Sequence, residues 1–285
     1  MLARVASTSG LGAVRTTEAM TVDGDGETAG DLLGGAATAV VKHEAARLLA
    51  SEASGARLVD VVLDDERAVA AGLACGGSAR LLLEPLDGVP DELWPALRQR
   101  RPVVLETEVG GATTLTVPAT TPAASSRTLE ELAEGGRLTD IVVPATEVLV
   151  VGGGELGAAI RRQAALLGWS TTVHEDGPAA ERGVAALGPA DAVIVLSHDP
   201  SVDTPVLAAA LAGPTGYVGA LGSRHTQAGR RERLVALGVG EPALARVHGP
   251  VGLDLGGRAP EEVALAICAE IVAGRHGRRL VPLDD

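Results

Sequence analysis

Aromatic side chains are almost missing from this 285-residue chain: Trp94, Trp169 and Tyr217 are the full set, and phenylalanine does not occur. Any core must be assembled from alanine, valine, leucine and isoleucine. Stacking platforms for single-stranded nucleic acid are excluded. Cysteine is nearly as scarce, and Cys75 and Cys268 are too few and too far apart for a disulfide framework or a four-cysteine zinc site. No apolar run approaches the length of a membrane span, and Arg4 followed by Val5-Ala6-Ser7-Thr8 is not a signal-peptide pattern. The expected location is cytoplasmic.

What the chain has in excess is acid. Asp plus Glu number 37 against 24 Lys plus Arg, a formal charge of −13 that repels phosphate backbones and anionic bilayers. Neither nucleic acid nor membrane is an expected partner. Hydrophobic residues make up 46% of the sequence, enough for real cores, and the length suits two domains. Residues 1–144 carry 12 basic and 21 acidic side chains and residues 145–285 carry 12 and 16, while five of the six histidines fall in the second part. That asymmetry points to two units with different chemistry.

The fold class expected is α/β, with a smaller mixed α/β domain over 1–87, a connecting region over 88–145 and a Rossmann-like parallel sheet over 146–285. In the first domain, Leu2–Thr8, Ala19–Val22, Leu58–Leu63 and Ala79–Glu84 read as strands, and the apolar spacing between Ala37 and Ser51 is helical. In the connecting region, Val103–Val109 and Thr113–Val117 suit a hairpin, and Pro118–Ser126 has the composition of an exposed linker. Thr128 and Glu131 have capping-box spacing for a short helix. From Val148 onward strands and helices alternate, as a parallel sheet requires.

The strand Val148–Val151 runs into Gly152-Gly153-Gly154-Glu155-Leu156-Gly157, a G-x-G-x-x-G loop opening a helix. Gly152 would make the tight turn, Gly154 would let a phosphate approach the backbone, and Gly157 would let helix and strand pack closely. Glu175, at the end of the next strand, occupies the position where a carboxylate binds ribose hydroxyls in dinucleotide folds. His174, His198, His225 and His248 fall just past predicted strand ends, where ligands of open parallel sheets bind, but their spacing does not suit a metal. His198-Asp199 reads either as ligand-facing or as a helix entrance, with Asp203 capping the helix. Ser223-Arg224, after Gly222, is either an anion clamp or a cap. Cys268 belongs to an apolar helix and reads as structural, whereas Cys75, in the Cys75-Gly76-Gly77 loop, stays open between function and structure.

Several strings together resemble one family. Tyr217-Val218-Gly219-Ala220-Leu221-Gly222-Ser223-Arg224, Val247-His248-Gly249-Pro250-Val251-Gly252-Leu253-Asp254-Leu255-Gly256 and the helix Ala259–Ile271 are similar to segments of the xanthine dehydrogenase accessory protein family (XdhC/CoxI). Ser197-His198-Asp199 with Asp203, and Cys75-Gly76-Gly77, resemble two more. The resemblance implies an accessory factor rather than an oxidoreductase. Such a chaperone binds the molybdenum cofactor (molybdopterin), protects it during sulfuration and supports its insertion into a molybdenum hydroxylase of the xanthine or carbon monoxide dehydrogenase type. A cysteine desulfurase or sulfurtransferase and the hydroxylase are the implied partners. The form of the cofactor, mononucleotide or dinucleotide, stays open, as does a homodimer.

The chain is a divergent member by this reading. Ala36 stands where the family's Gly-Gly-Cys segment has cysteine, Glu155 where its glycine loop commonly has histidine, and His174-Glu175-Asp176 replaces Asp-x-Arg. Ser9 and Arg15 are what remains of an early Ser-Pro-Arg element. The competing reading is an oxidoreductase that uses NAD(P) in the Rossmann unit. The cofactor-binding set expected under either reading is drawn from Gly152, Gly154, Glu155, Gly157, Glu175, His198, Asp199, Ser223, Arg224 and Cys75.

Overall fold

The computed structural model describes residues 1–277 apart from 13, 15, 16, 52–54, 120, 121, 123, 124 and 132–134. Its contacts divide the chain into two compact units, Met1–Val143 and the remainder from Pro144. No helix among the described residues is long and apolar enough to cross a membrane.

The first unit runs β1 (Leu2–Ser9), β2 (Ala19–Val22), β3 (Thr28–Ala29), α1 (Thr38–Ala50), β4 (Arg57–Leu63), α2 (Asp65–Ala70), β5 (Gly77–Glu84), α3 (Leu93–Arg98), β6 (Val103–Glu108), β7 (Thr113–Thr116), β8 (Ser126–Glu130) and β9 (Arg137–Val142). Its strands form two sheets, ordered β3-β2-β1-β5-β4 and β7-β6-β9-β8. Successive strand residues point to opposite faces, and here both faces of the first sheet are covered. Ala3, Val5, Leu81 and Leu83 pack with Val41 and Ala45 of α1 and Ala68 of α2. On the other face, Leu2 joins Val103 and Leu105, and Leu82 joins Leu138 of the second sheet.

One cluster on that second face is ionic. Arg4 donates to Asp140, Glu84 and Thr107, Thr113 donates to Glu84, and Arg127 donates to Asp140. Arg4, Glu84 and Asp140 are each no more than 3% exposed. Burial raises the Glu84 carboxyl above its ordinary pKa against the opposing pull of Arg4. Burial likewise lowers Arg127, with Asp140 pulling the other way.

Residues 88–145, expected as a connecting region, hold α3 and the whole second sheet, and up to Val143 they belong to the first unit. The helix expected from Thr128 is instead strand β8. Its side chains alternate between exposed and half-buried, and Arg127 is drawn inward to Asp140, so period-two packing overrides the capping-box spacing. Parts of the expected Pro118–Ser126 linker, and Arg15, lie outside the described residues.

The second unit runs β10 (Glu147–Val151), α4 (Gly154–Leu166), β11 (Ser170–His174), α5 (Gly177–Val184), β12 (Ala192–Val195), α6 (Pro200–Ala212), β13 (Tyr217–Ala220), α7 (Arg224–Ala236), α8 (Glu241–Leu244), β14 (Val247–His248) and α9 (Pro260–Arg275). Its sheet is parallel, in the order β11-β10-β12-β13-β14. Val148, Val150 and Ile194 pack under Ile160 of α4 and Ile267 of α9. Leu149, Val193 and Val218 pack on the opposite face with Val184 of α5, Leu207 of α6 and Leu234 of α7. Helices on both faces explain why these strands read as unbroken apolar runs. The strand order reverses between β10 and β12, so the crevice beyond their carboxyl ends is where this architecture takes ligands.

Candidate functional site

The crevice is floored by the glycine loop. Gly152 has φ +99°, and a Cβ there would sit 3.1 Å from the backbone N of Ser197, so the turn requires glycine on both counts. Gly154 has φ +77° with open space where a side chain would be. Gly157 lies over Val150 and Leu196 at ordinary contact distances. A methyl group would fit there, so the packing of helix on strand does not by itself require glycine at this position.

Helix starts at this edge differ in their caps. Asp176 accepts from the N–H of Ala179 at α5, Asp199 from Ser201 at α6 and Ser223 from Thr226 at α7. At α4 the cap position is Gly153, with no side-chain cap. Three helices thus have an oxygen of the chain itself at the positive end of their dipole, and α4 leaves its first N–H groups to something else. Two carboxylates border that start. Glu155 is exposed in the first turn of α4, and Glu175 is exposed with its Oε1 against Gly153.

Asp199, not Asp203, is the α6 cap. Hydrogen bonds from the Ser201 hydroxyl and N–H hold the Asp199 carboxyl below its usual range. Asp203 is instead buried inside α6, where Arg230 of α7 donates to it at 2.7 Å. Arg230 also donates to the carbonyls of Ser197, at 2.6 Å, and Leu221. One guanidinium therefore fastens the chain just past β12 to the chain just past β13. Sequence reasoning placed Asp203 wrongly and missed Arg230, because the two are 27 residues apart.

The far end of the edge is fixed from α9. Glu270 accepts from the Tyr217 hydroxyl at 2.6 Å and from the N–H of Gly252 at 2.7 Å, and it meets Nδ1 of His248 at 2.8 Å. Burial pushes the Glu270 carboxyl up, but these partners outweigh it and leave it below the usual range. His248 stacks on Tyr217 with ring centroids 4.5 Å apart. The rim histidines are thus dispersed: His248 serves α9, His174 has Nε2 turned toward Gly183 of α5, and His198 and His225 are exposed.

Residues 148–271 match the XdhC Rossmann domain family. The C-terminal unit is an XdhC Rossmann domain. Among curated proteins, the chain is 28% identical over 265 residues to the molybdenum cofactor insertion chaperone PaoD of Escherichia coli, covering 90% of this chain and 77% of that protein. It is 33% identical over 87 residues to a Bacillus subtilis protein named as a probable xanthine dehydrogenase component, covering 30% of this chain and 24% of that one. A solved Bacillus halodurans structure described as a xanthine dehydrogenase aligns with a TM-score of 0.63 over 99% of this chain and 93% of its own, at 20% identity. At that identity the likeness speaks for the fold alone. The family resemblance read from the sequence is borne out.

The XdhC domain places Gly152, Gly154, Glu155, Gly157, Glu175, His198, Asp199, Ser223 and Arg224 along one edge of its sheet. Ser223 takes the cap role, and Arg224 is exposed in the first turn of α7. Cys75 belongs to the N-terminal unit, where its thiol donates to the Gly10 carbonyl at 2.8 Å and stays exposed. Cys268, on α9, is 1% exposed, and burial pushes its thiol up to about 11. Iodoacetamide at neutral pH should therefore alkylate Cys75 and spare Cys268, as read by peptide mass spectrometry. Equal labelling of the two in folded protein would contradict the packing of α9.

Proposed function

We propose that this protein is an accessory carrier that holds the molybdenum cofactor and supports its insertion into a molybdenum hydroxylase, without a chemical step of its own. The observation that carries the reading is similarity to a molybdenum cofactor insertion chaperone along nine-tenths of the chain, through both units. The site supports it physically. The uncapped start of α4 and the open space over Gly154 suit a phosphate carried as cargo. The neighbouring carboxylates Glu155 and Glu175 weaken the hold on an anion, which suits a ligand that must be handed on. In the fuller form of this reading a cysteine desulfurase installs the terminal sulfur while the cofactor is held, and the protein works as a cytoplasmic partner of both enzymes.

The test is to mix purified protein, under anaerobic conditions, with cofactor released from a molybdenum hydroxylase and excess NAD. Pterin, molybdenum and nicotinamide are then measured in the protein peak after gel filtration. Pterin and molybdenum near one per chain, without nicotinamide, is the expected result. Nicotinamide alone would replace the carrier reading with an NAD(P)-dependent oxidoreductase that uses Glu175 for ribose. An empty protein peak would reject both.

A further inference from the structure

The XdhC domain has a cavity of about 360 Å³ at the end of its carboxyl edge, where Arg224 of α7 meets the loop Pro250–Gly257 and the start of α9. The volume lies at the low end of small-molecule sites. Its ionisable side chains divide into used and unused. Glu262 is spent on the N–H groups of Arg258 and Ala259, at 2.9 and 3.0 Å, which cap α9. Those bonds keep its carboxyl below the usual range. Arg224 and Asp254 also line the cavity, and neither has a hydrogen bond or ion pair among the described residues. The wall is held in place: Glu270 grips the N–H of Gly252, and Gln227 of α7 donates to the carbonyls of Ala220 and Gly222 beside Arg224.

An unpaired carboxylate and an unpaired guanidinium in one braced cavity suit a flat, polar ligand that has N–H donors at one end and acceptor oxygens or an anion at the other. An ionised carboxylate accepts only, and its two oxygens match two adjacent N–H groups. An aminopyrimidinone ring, as in a pterin, presents such a pair on its edge. Resting on the carrier reading above, we infer that this cavity is the pterin subsite. Asp254 accepts from the amino group and ring N–H of the aminopyrimidinone, and Arg224 binds the anionic side of the cargo. The cargo then lies along the sheet edge with its phosphate at α4. From β10 to β13 is two strand spacings and to β14 three, about 10–14 Å. That is the reach of a pterin with a short phosphorylated arm.

The experiment compares wild type, Asp254→Asn and Arg224→Gln as intact chains, first with cofactor released from a molybdenum hydroxylase and then with 6-hydroxymethylpterin, which has no phosphate. Both substituted side chains are exposed, and unchanged thermal unfolding would verify the fold. Asp254→Asn should bind both probes about tenfold more weakly or worse, the loss expected for hydrogen bonds to a charged acceptor. Arg224→Gln should weaken the cofactor more than this neutral pterin, which lacks the anionic molybdenum–dithiolene group as well as the phosphate held at α4. If wild type retains the cofactor and Asp254→Asn retains it equally, the subsite is overturned while the carrier reading stands. If wild type retains none, the carrier reading falls and the subsite with it.

Discussion

Asp203→Ala is expected to destabilise the XdhC domain by about 3–5 kcal/mol, the range for removing one partner of a buried ion pair. The carboxylate is 1% exposed and is the anionic partner of a guanidinium that is 2% exposed. Its loss leaves the buried Arg230 charge without its carboxylate and weakens the grip of that side chain on the Ser197 and Leu221 carbonyls. Since these carbonyls shape the edge next to the glycine loop, cofactor retention should fall at temperatures where the domain is still folded. Asp203→Leu with Arg230→Met removes both charges and should be less damaging than Asp203→Ala alone. Calorimetry of the three chains checks the ordering. A single variant that melts like wild type would show that the pair holds nothing.

Asp140→Ala should do comparable damage in the N-terminal unit, again about 3–5 kcal/mol. Asp140 is the acceptor for both Arg4 and Arg127, so its removal takes a carboxylate from each of two buried guanidinium groups and leaves Arg4 with Glu84. The expected result is a lower urea midpoint for this unit, with the XdhC transition unmoved. Glu84→Gln should be milder, because burial already disfavours charge on that side chain. Circular dichroism during urea titration resolves the comparison. If Glu84→Gln proved the worse of the two, the cluster would have to be organised around Glu84 instead.

How far these features could be read from the chain depended on their range. The strands of the XdhC domain were legible because burial on both faces writes them as apolar runs, as in Val148–Val151 and Ala192–Leu196. The glycine loop was legible because its turn needs glycine wherever it occurs. β14 escaped, since two residues carry no period. α3 escaped because Trp94-Pro95 looks like a break, although proline in a first helical turn gives up no hydrogen bond. Asp199 and Asp203 are equally plausible caps by spacing, and only Arg230, packed from another helix, separates them. Asp254 lies within a segment that resembles the family but offers no role by itself, because its significance comes from what surrounds it in space.

The near absence of aromatic residues also determines how the protein can be watched. The two tryptophans fall one to a unit. Trp94 sits on α3 against the cluster around Leu93 and Val103, and Trp169 follows α4 with the Arg275 guanidinium 5.9 Å from its ring. With no phenylalanine and one tyrosine, whose hydroxyl is held by Glu270, ultraviolet emission comes essentially from those two indoles. Replacing either one with leucine turns the other into a private optical signal, so the melting of each half can be recorded in the uncut chain.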